Sequence, residues 1–188
     1  MQVTDLLQQM EDISPSTLAH MCHCGLLMYK VLPYCKSLGF PQDSKFQRSM
    51  VLGAVLHDIG KLQVPAQILN GTQRLTPEEF RIIQAHPEQG ASLLVKSQLV
   101  DNLDYDWDLI QQLACFHHIK QSSGGYPVYV PNSINYNAVY LMHCIDAYEA
   151  LTGVRTYRMA VTPAMAIEMI REDVPVEVCD AFSKGILS

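Results

Sequence analysis

Apolar residues recur along most of this chain at intervals of three and four, the spacing of helices that bury one face. Residues 15–38 read as one long helix with a kink at Pro33, closed by Gly39 in SLGFPQD. A second helix spans 44–58, with Asp43 or Ser44 as its cap. Thr76-Pro77-Glu78-Glu79 carries a capping Thr, a proline at the first helical position and a Glu at the third, a strong helix start. His86-Pro87 breaks or restarts that helix. Helical patterns over 105–118, 134–152, 162–172 and 175–186 complete the set. No alternating run requires a sheet, and the one strand-like stretch, YPVYVP, is placed in a loop. Without repeats, low-complexity tracts or linkers, the pattern predicts an all-α, single-domain helical bundle over 1–188, with no sensor domain.

Composition narrows the partners. Hydrophobic residues make up 48% of the chain and charged residues 17%, so much of it is expected to be buried. The net charge of −6 disfavours duplex nucleic acid, although an acidic protein can hold a phosphate ligand when metal ions supply local positive charge. No apolar run is long enough to cross a bilayer, and MQVTDLLQQMEDISP has no signal-peptide pattern; a cytoplasmic protein without a membrane partner is expected. Cys22, Cys24, Cys35, Cys115, Cys144 and Cys179 form no CxxC pair and are expected to be free thiols and core fillers. Cys22 and Cys24 flank His23. Neighbours on a helix diverge by about 100°, so neither is expected to share a ligand with it.

The chemistry sits on inward-facing polar residues. His57-Asp58 ends the apolar helix FQRSMVLGAVL. Met50, Ala54 and His57 share a face, as do Val51, Ala54 and Asp58. A buried carboxylate beside a buried imidazole is costly unless paired or metal-bound. Lys61, a turn further on, can bring an ammonium to the same spot. His117 shares a face with Trp107, Ile110 and Ala114, and His118 follows it. Asp146 lies four residues after Met142 on an apolar side. Each feature alone is ordinary, but their recurrence on separate helices points to an oxygen-and-nitrogen site for Fe, Mn or a similar metal. Without a cysteine cluster, structural zinc is disfavoured.

HDIGK (57–61), LQVPAQILN (62–70), LTPEEF (75–80), HPEQGASLL (86–94), HH…GGYP (117–127) and IDAYEALTGVRTYR (145–158) together resemble the HD-GYP subgroup of HD-domain phosphohydrolases. The resemblance runs from about residue 15 to the C-terminus. It implies an HD-domain helical bundle that hydrolyses the bacterial second messenger cyclic di-GMP to pGpG and GMP at a centre of two divalent metal ions. The first metal would take His23, His57, Asp58 and Asp146; the second would take Asp58, His86, His117 and His118, with Asp58 bridging. His23 is preferred to His20 because its distance to Gly39 matches the family pattern. Lys61, Arg155 and Arg158 would hold the phosphates, and Tyr126 would shape the pocket. Lys61 and Asp58 are the expected catalytic residues, with a metal-bridging hydroxide as the attacking group.

The third motif departs from the family's HHE-x-x-DG-x-GYP. Ile119 and Ser122 stand where acids would be, and Ser123 replaces a glycine. The missing carboxylates would orient the histidines and tie down the loop. Ala19 occupies the position, one turn before His23, where trinuclear members carry a Glu, so two metals are expected; His20 and His143, each three residues before a ligand, are candidates for a substitute third site. Two alternatives stay open: a hydrolase of another nucleotide or phosphoester, and a cyclic di-GMP receptor or interaction module with its metals but without turnover, using the GYP loop as a partner surface.

Overall fold

The computed structural model describes residues 2–97, 104–153 and 160–188. Among the described residues ten α-helices follow one another: α1 (Val3–Ile13), α2 (Pro15–Val31), α3 (Ser44–Leu56), α4 (Ala66–Leu69), α5 (Pro77–Gln84), α6 (His86–Lys96), α7 (Trp107–Phe116), α8 (Tyr136–Thr152), α9 (Pro163–Ile170) and α10 (Val176–Leu187). Short 3-10 turns cover Leu32–Tyr34, Lys36–Leu38, Ile59–Gln63 and Arg171–Asp173. Among the described residues there is no strand. The all-α architecture follows the sequence pattern.

The caps read from the sequence are in place. The Asp43 carboxylate accepts from the Phe46 amide at 2.8 Å. Thr76 and Glu79 form a reciprocal capping box: the Glu79 amide donates to Thr76 Oγ1 and the Thr76 amide to Glu79 Oε2. Two expectations change. The expected helix over 15–38 ends at Val31, where Pro33 has no N–H to donate to the preceding turn; two 3-10 turns carry the chain to Gly39, in the left-handed conformation at φ 73°. An additional helix, α1, precedes the expected bundle and buries Leu6 and Met10.

α3 packs between α2 and α7, while α8 contacts α2, α7, α9 and α10. Buried side chains include Met28, Val31, Met50, Ala54, Leu113, Met142, Ile145 and Phe182 in one cluster, and Leu6, Met10, Met21, Leu56, Ile59, Leu94 and Ile110 in another. The 3-10 turn at Ile59–Gln63 lies against α6. Its Gly60 leaves no room for a side chain: a Cβ there would stand 1.9 Å from the His86 carbonyl oxygen and 2.5 Å from the Gly90 nitrogen. That close approach carries His86 up to Asp58.

Candidate metal centre

Three helix C-termini converge on one buried spot, and a histidine sits at each. A helix leaves its last carbonyls without intrahelical partners. His57, the cap of α3, donates from Nδ1 to the Ala54 carbonyl at 2.8 Å. His117, the cap of α7, donates from Nδ1 to the Ala114 carbonyl at 2.9 Å. His86, just past α5, donates from Nδ1 to the Ile83 carbonyl at 2.6 Å. Each bond puts the ring proton on Nδ1 and leaves Nε2 as a bare lone pair facing inward. The helix C-termini also add partial negative charge to the spot, which favours a cation.

Asp58 is the hub, 1% exposed. Its Oδ1 lies 3.0 Å from His86 Nε2 and 3.8 Å from His117 Nε2. Its Oδ2 lies 3.5 Å from His57 Nε2 and 3.6 Å from His20 Nε2, and accepts from Lys61. Asp146 faces the second oxygen's side, with Oδ1 3.1 Å from His20 Nε2 and 3.7 Å from His57 Nε2, and with Oδ2 3.7 Å from His118 Nδ1. Burial alone would push Asp58 up; Lys61, His57 and His86 outweigh it and hold the carboxyl well below the usual range. Burial likewise opposes the charge on Asp146, but the His20 ring against it and the nearby His57 and His118 rings keep it well below as well. Burial lowers His117 and His118, the latter to about 3, so both rings are neutral near pH 7 with lone pairs available.

The arrangement fits divalent cations. His57 Nε2 and Asp58 Oδ1 are buried without a hydrogen-bond partner among the described residues, a costly state that a bound cation relieves. His86 Nε2 and His117 Nε2 stand 3.2 Å apart although both hydrogens are committed elsewhere. Donor atoms cluster within 4.8 Å of one another in three overlapping groups: His20, Cys24, His57 and Asp146; His57, Asp58 and His117; and His86, His117 and His118. Two adjoining halves that share Asp58 match a binuclear centre.

Six of the seven expected ligands are brought together: His57, Asp58, His86, His117, His118 and Asp146. The seventh is not. His23 is 62% exposed, with Nδ1 3.2 Å from Glu149 Oε1, whereas His20 points into the cluster. The expectation of His23 is corrected to His20. The preference for His23 rested on its distance to Gly39 in the family pattern, which does not register which face of α2 turns inward. The same correction changes Cys24: it is four residues from His20, on one face with it, and therefore borders the cluster. Glu149, which the sequence reading did not single out, pairs with both His20 and His23; its place three residues after Asp146 was the available signal. His143 does not stand beside Asp146's carboxylate. Its Nδ1 donates to the His117 carbonyl at 2.9 Å, behind the centre. Tyr126 lies against His118 with ring centroids 4.5 Å apart. Arg155 and Arg158 lie outside the described residues.

The altered third motif is held by different chemistry. Ile119 is buried in the hydrophobic core. The carboxylate comes instead from Asp173, in the turn between α9 and α10: Ser122 Oγ donates to its Oδ1 at 3.0 Å, Lys120 Nζ lies 2.9 Å from its Oδ2, and the Gln121 amide donates to its carbonyl at 2.7 Å. His143 Nε2 is 3.6 Å from Asp173 Oδ2, which links this anchor to His117. Asp173→Ala is expected to weaken metal binding at the His117–His118 half by about ten-fold or more, the size seen when a group orienting a ligand is lost. Metal titration of variant and wild type checks this; equal affinities would show that the anchor does not orient the histidines.

Comparison with known proteins accords with this geometry. The HD domain model matches residues 9–178. The chain belongs to the HD-domain family. It is a homologue of the HD-GYP type: it is 33% identical over 126 residues to the cyclic di-GMP phosphodiesterase PA4108 of Pseudomonas aeruginosa, covering 66% of this chain and 29% of that protein. It is 32% identical over 124 residues to the 3'3'-cGAMP-specific phosphodiesterase 3 of Vibrio cholerae, covering 64% of this chain and 25% of that protein. The HD domain of the phosphodiesterase PgpH of L. monocytogenes, solved with cyclic-di-AMP, has the same fold, with a TM-score of 0.65 at 19% identity over 97% of this chain and 93% of that one. The HD-domain chain thus spans under a third of the length of these two curated relatives. No helix among its described residues is long and apolar enough to cross a membrane.

Proposed function

We propose that this HD-domain chain is a metal-dependent phosphodiesterase that hydrolyses cyclic di-GMP to pGpG and GMP. The observation that carries the reading is Asp58, whose two oxygens face two separate donor clusters. Bound divalent cations, with iron and manganese favoured by a nitrogen-and-oxygen donor set, supply positive charge for a phosphodiester and a nucleophilic water at neutral pH. The chain's residues do the rest. His57, His86 and His117 keep their ligating nitrogens aimed inward because their other nitrogens are tied to backbone. Lys61, 21% exposed, places an ammonium at the edge of the Asp58 carboxylate, where it can steady phosphoryl oxygens as their charge grows. Tyr126 covers His118 and offers a flat face for a base.

Incubating metal-loaded protein with cyclic di-GMP tests the reading, with pGpG or GMP as the expected product. The 3'3'-cGAMP specificity of the Vibrio relative favours a second reading, a different cyclic dinucleotide; 3'3'-cGAMP turned over in preference to cyclic di-GMP would select it. Tight binding without product would instead indicate a receptor. Lys61→Ala is expected to lower turnover about 10²-fold with metal content unchanged. Unaltered initial rates at full metal occupancy would remove Lys61 from the chemistry.

A further inference from the structure

Cys24 is absent from the ligand set expected from the sequence, yet it belongs to one of the donor groups the fold assembles. It is fully buried on α2, and its Sγ is 3.8 Å from His20 Nε2. One donor atom each from His20, Cys24, His57 and Asp146 lies within 4.8 Å of all the others. Within the same group His20 Nε2 is 3.1 Å and His57 Nε2 3.7 Å from Asp146 Oδ1. Donors bound to one cation at about 2.0–2.3 Å stand roughly 3–4 Å apart, the spacing of Cys24 Sγ from His20 Nε2 and of His20 Nε2 and His57 Nε2 from Asp146 Oδ1. Independently of the sulfur, His57 Nε2 is buried, aimed into this space and without a hydrogen-bond partner among the described residues.

We propose that Cys24 is a thiolate ligand of the first cation site, beside His20, His57, Asp146 and the bridging Asp58. The proposal rests on the reading of the cluster as a metal centre. When the sulfur–metal bond forms, the Cys24 S–H bond breaks and its proton leaves to solvent; nothing is oxidised or reduced. A site with one soft sulfur donor discriminates among cations. It favours Zn²⁺, Co²⁺ and Fe²⁺ over Mg²⁺ and Mn²⁺, which prefer oxygen. The other half of the centre, with no sulfur among its described donors, lacks that preference, so the two sites differ in selectivity.

Cobalt(II) reports the ligand directly. Titrating the metal-free protein with Co²⁺ is expected to give visible d–d bands together with a near-ultraviolet sulfur-to-cobalt charge-transfer band. Cys24→Ser should abolish the charge-transfer band and keep the visible ones, while Cys22→Ser, at an exposed position on the same helix, should keep both. Cys24→Ser should also weaken Zn²⁺ binding at least about ten-fold and leave Mn²⁺ binding nearly unchanged. Visible bands without a charge-transfer band in the wild type would overturn thiolate ligation and leave the metal centre standing, a result that needs no variant to fold. A charge-transfer band that survives Cys24→Ser would overturn it equally. Failure to take up cobalt at all would overturn the metal centre, and the thiolate with it.

Discussion

Asp58→Asn is expected to abolish the binuclear centre while leaving the fold intact. The substitution keeps the side chain's size in a fully packed spot, so no cavity opens. What it removes is the negative charge that both clusters share. Each carboxylate oxygen serves a different half: Oδ1 faces His86 and His117, and Oδ2 faces His20, His57 and Lys61. An amide supplies only one acceptor oxygen, and its nitrogen can donate but not ligate. Whichever way it turns, one half loses its donor and both lose the compensating charge. Without metal the variant gains an amide N–H that can meet a bare imidazole lone pair and loses the carboxylate that accepts from Lys61. Metal analysis should show fewer than two ions per chain, the metal-free protein should still melt in one cooperative transition, and turnover should drop at least about 10³-fold, equivalent to about 4 kcal/mol of transition-state stabilisation. Two tightly held ions in Asp58→Asn would mean that Asp58 does not bridge. A loss confined to one half would assign the carboxylate to that half alone.

The same residue shows what was legible beforehand. His57-Asp58 and His117 announced themselves because a helix with one apolar face fixes where its last turn points, and polar groups on that face require a reason. Asp43 and Thr76 were equally readable, since a cap is a local bargain between a side chain and amides two or three residues away. Readability failed where the relation was tertiary. His20 and His23 both lie on α2, and choosing between them depended on the distance to Gly39, which does not show which of the two faces α8. Asp173 was invisible for a related reason. A carboxylate in the turn before α10 and a lysine and serine in the loop after α7 meet only because α8 and α10 pack together. The sequence does show that Ile119 and Ser122 stand where acids are expected, but not that Ile119 enters the core or that the acid arrives from another segment. Six of the seven expected residues meet and the seventh was missed by three positions, because they are spread over several helix ends whose inward faces could each be read separately.

The largest effect on the fold is expected from Gly60→Ala, a change of one methyl group. The new Cβ would lie 1.9 Å from the His86 carbonyl oxygen, 2.5 Å from the Gly90 nitrogen and 2.9 Å from its Cα. All three atoms are backbone, so no side chain can rotate away. Relief requires the Ile59–Gln63 turn and α6 to separate, against the packing of Ile59 and Leu94 in the core. Overpacking of this kind costs about 3 kcal/mol, and for a chain of this length that corresponds to a fall of roughly 6–12 °C in the melting temperature. Gly39→Ala is the contrast. It forces a side chain into the left-handed region at φ 73° but meets nothing within 4 Å, so it should cost only about 1 kcal/mol. The consequence for the site follows from where the separation occurs. The turn carries Lys61 and follows Asp58 directly, while α6 begins with His86, so moving them apart lengthens the 3.0 Å approach of His86 Nε2 to Asp58 Oδ1. Gly60→Ala should therefore lose metal from the His86 half even at temperatures where it stays folded, and Gly39→Ala should not. Thermal melts paired with metal titrations separate the two effects. A Gly60→Ala protein that binds two ions as tightly as wild type would show that the turn and α6 can part without disturbing the centre, and that the close glycine contact serves packing alone.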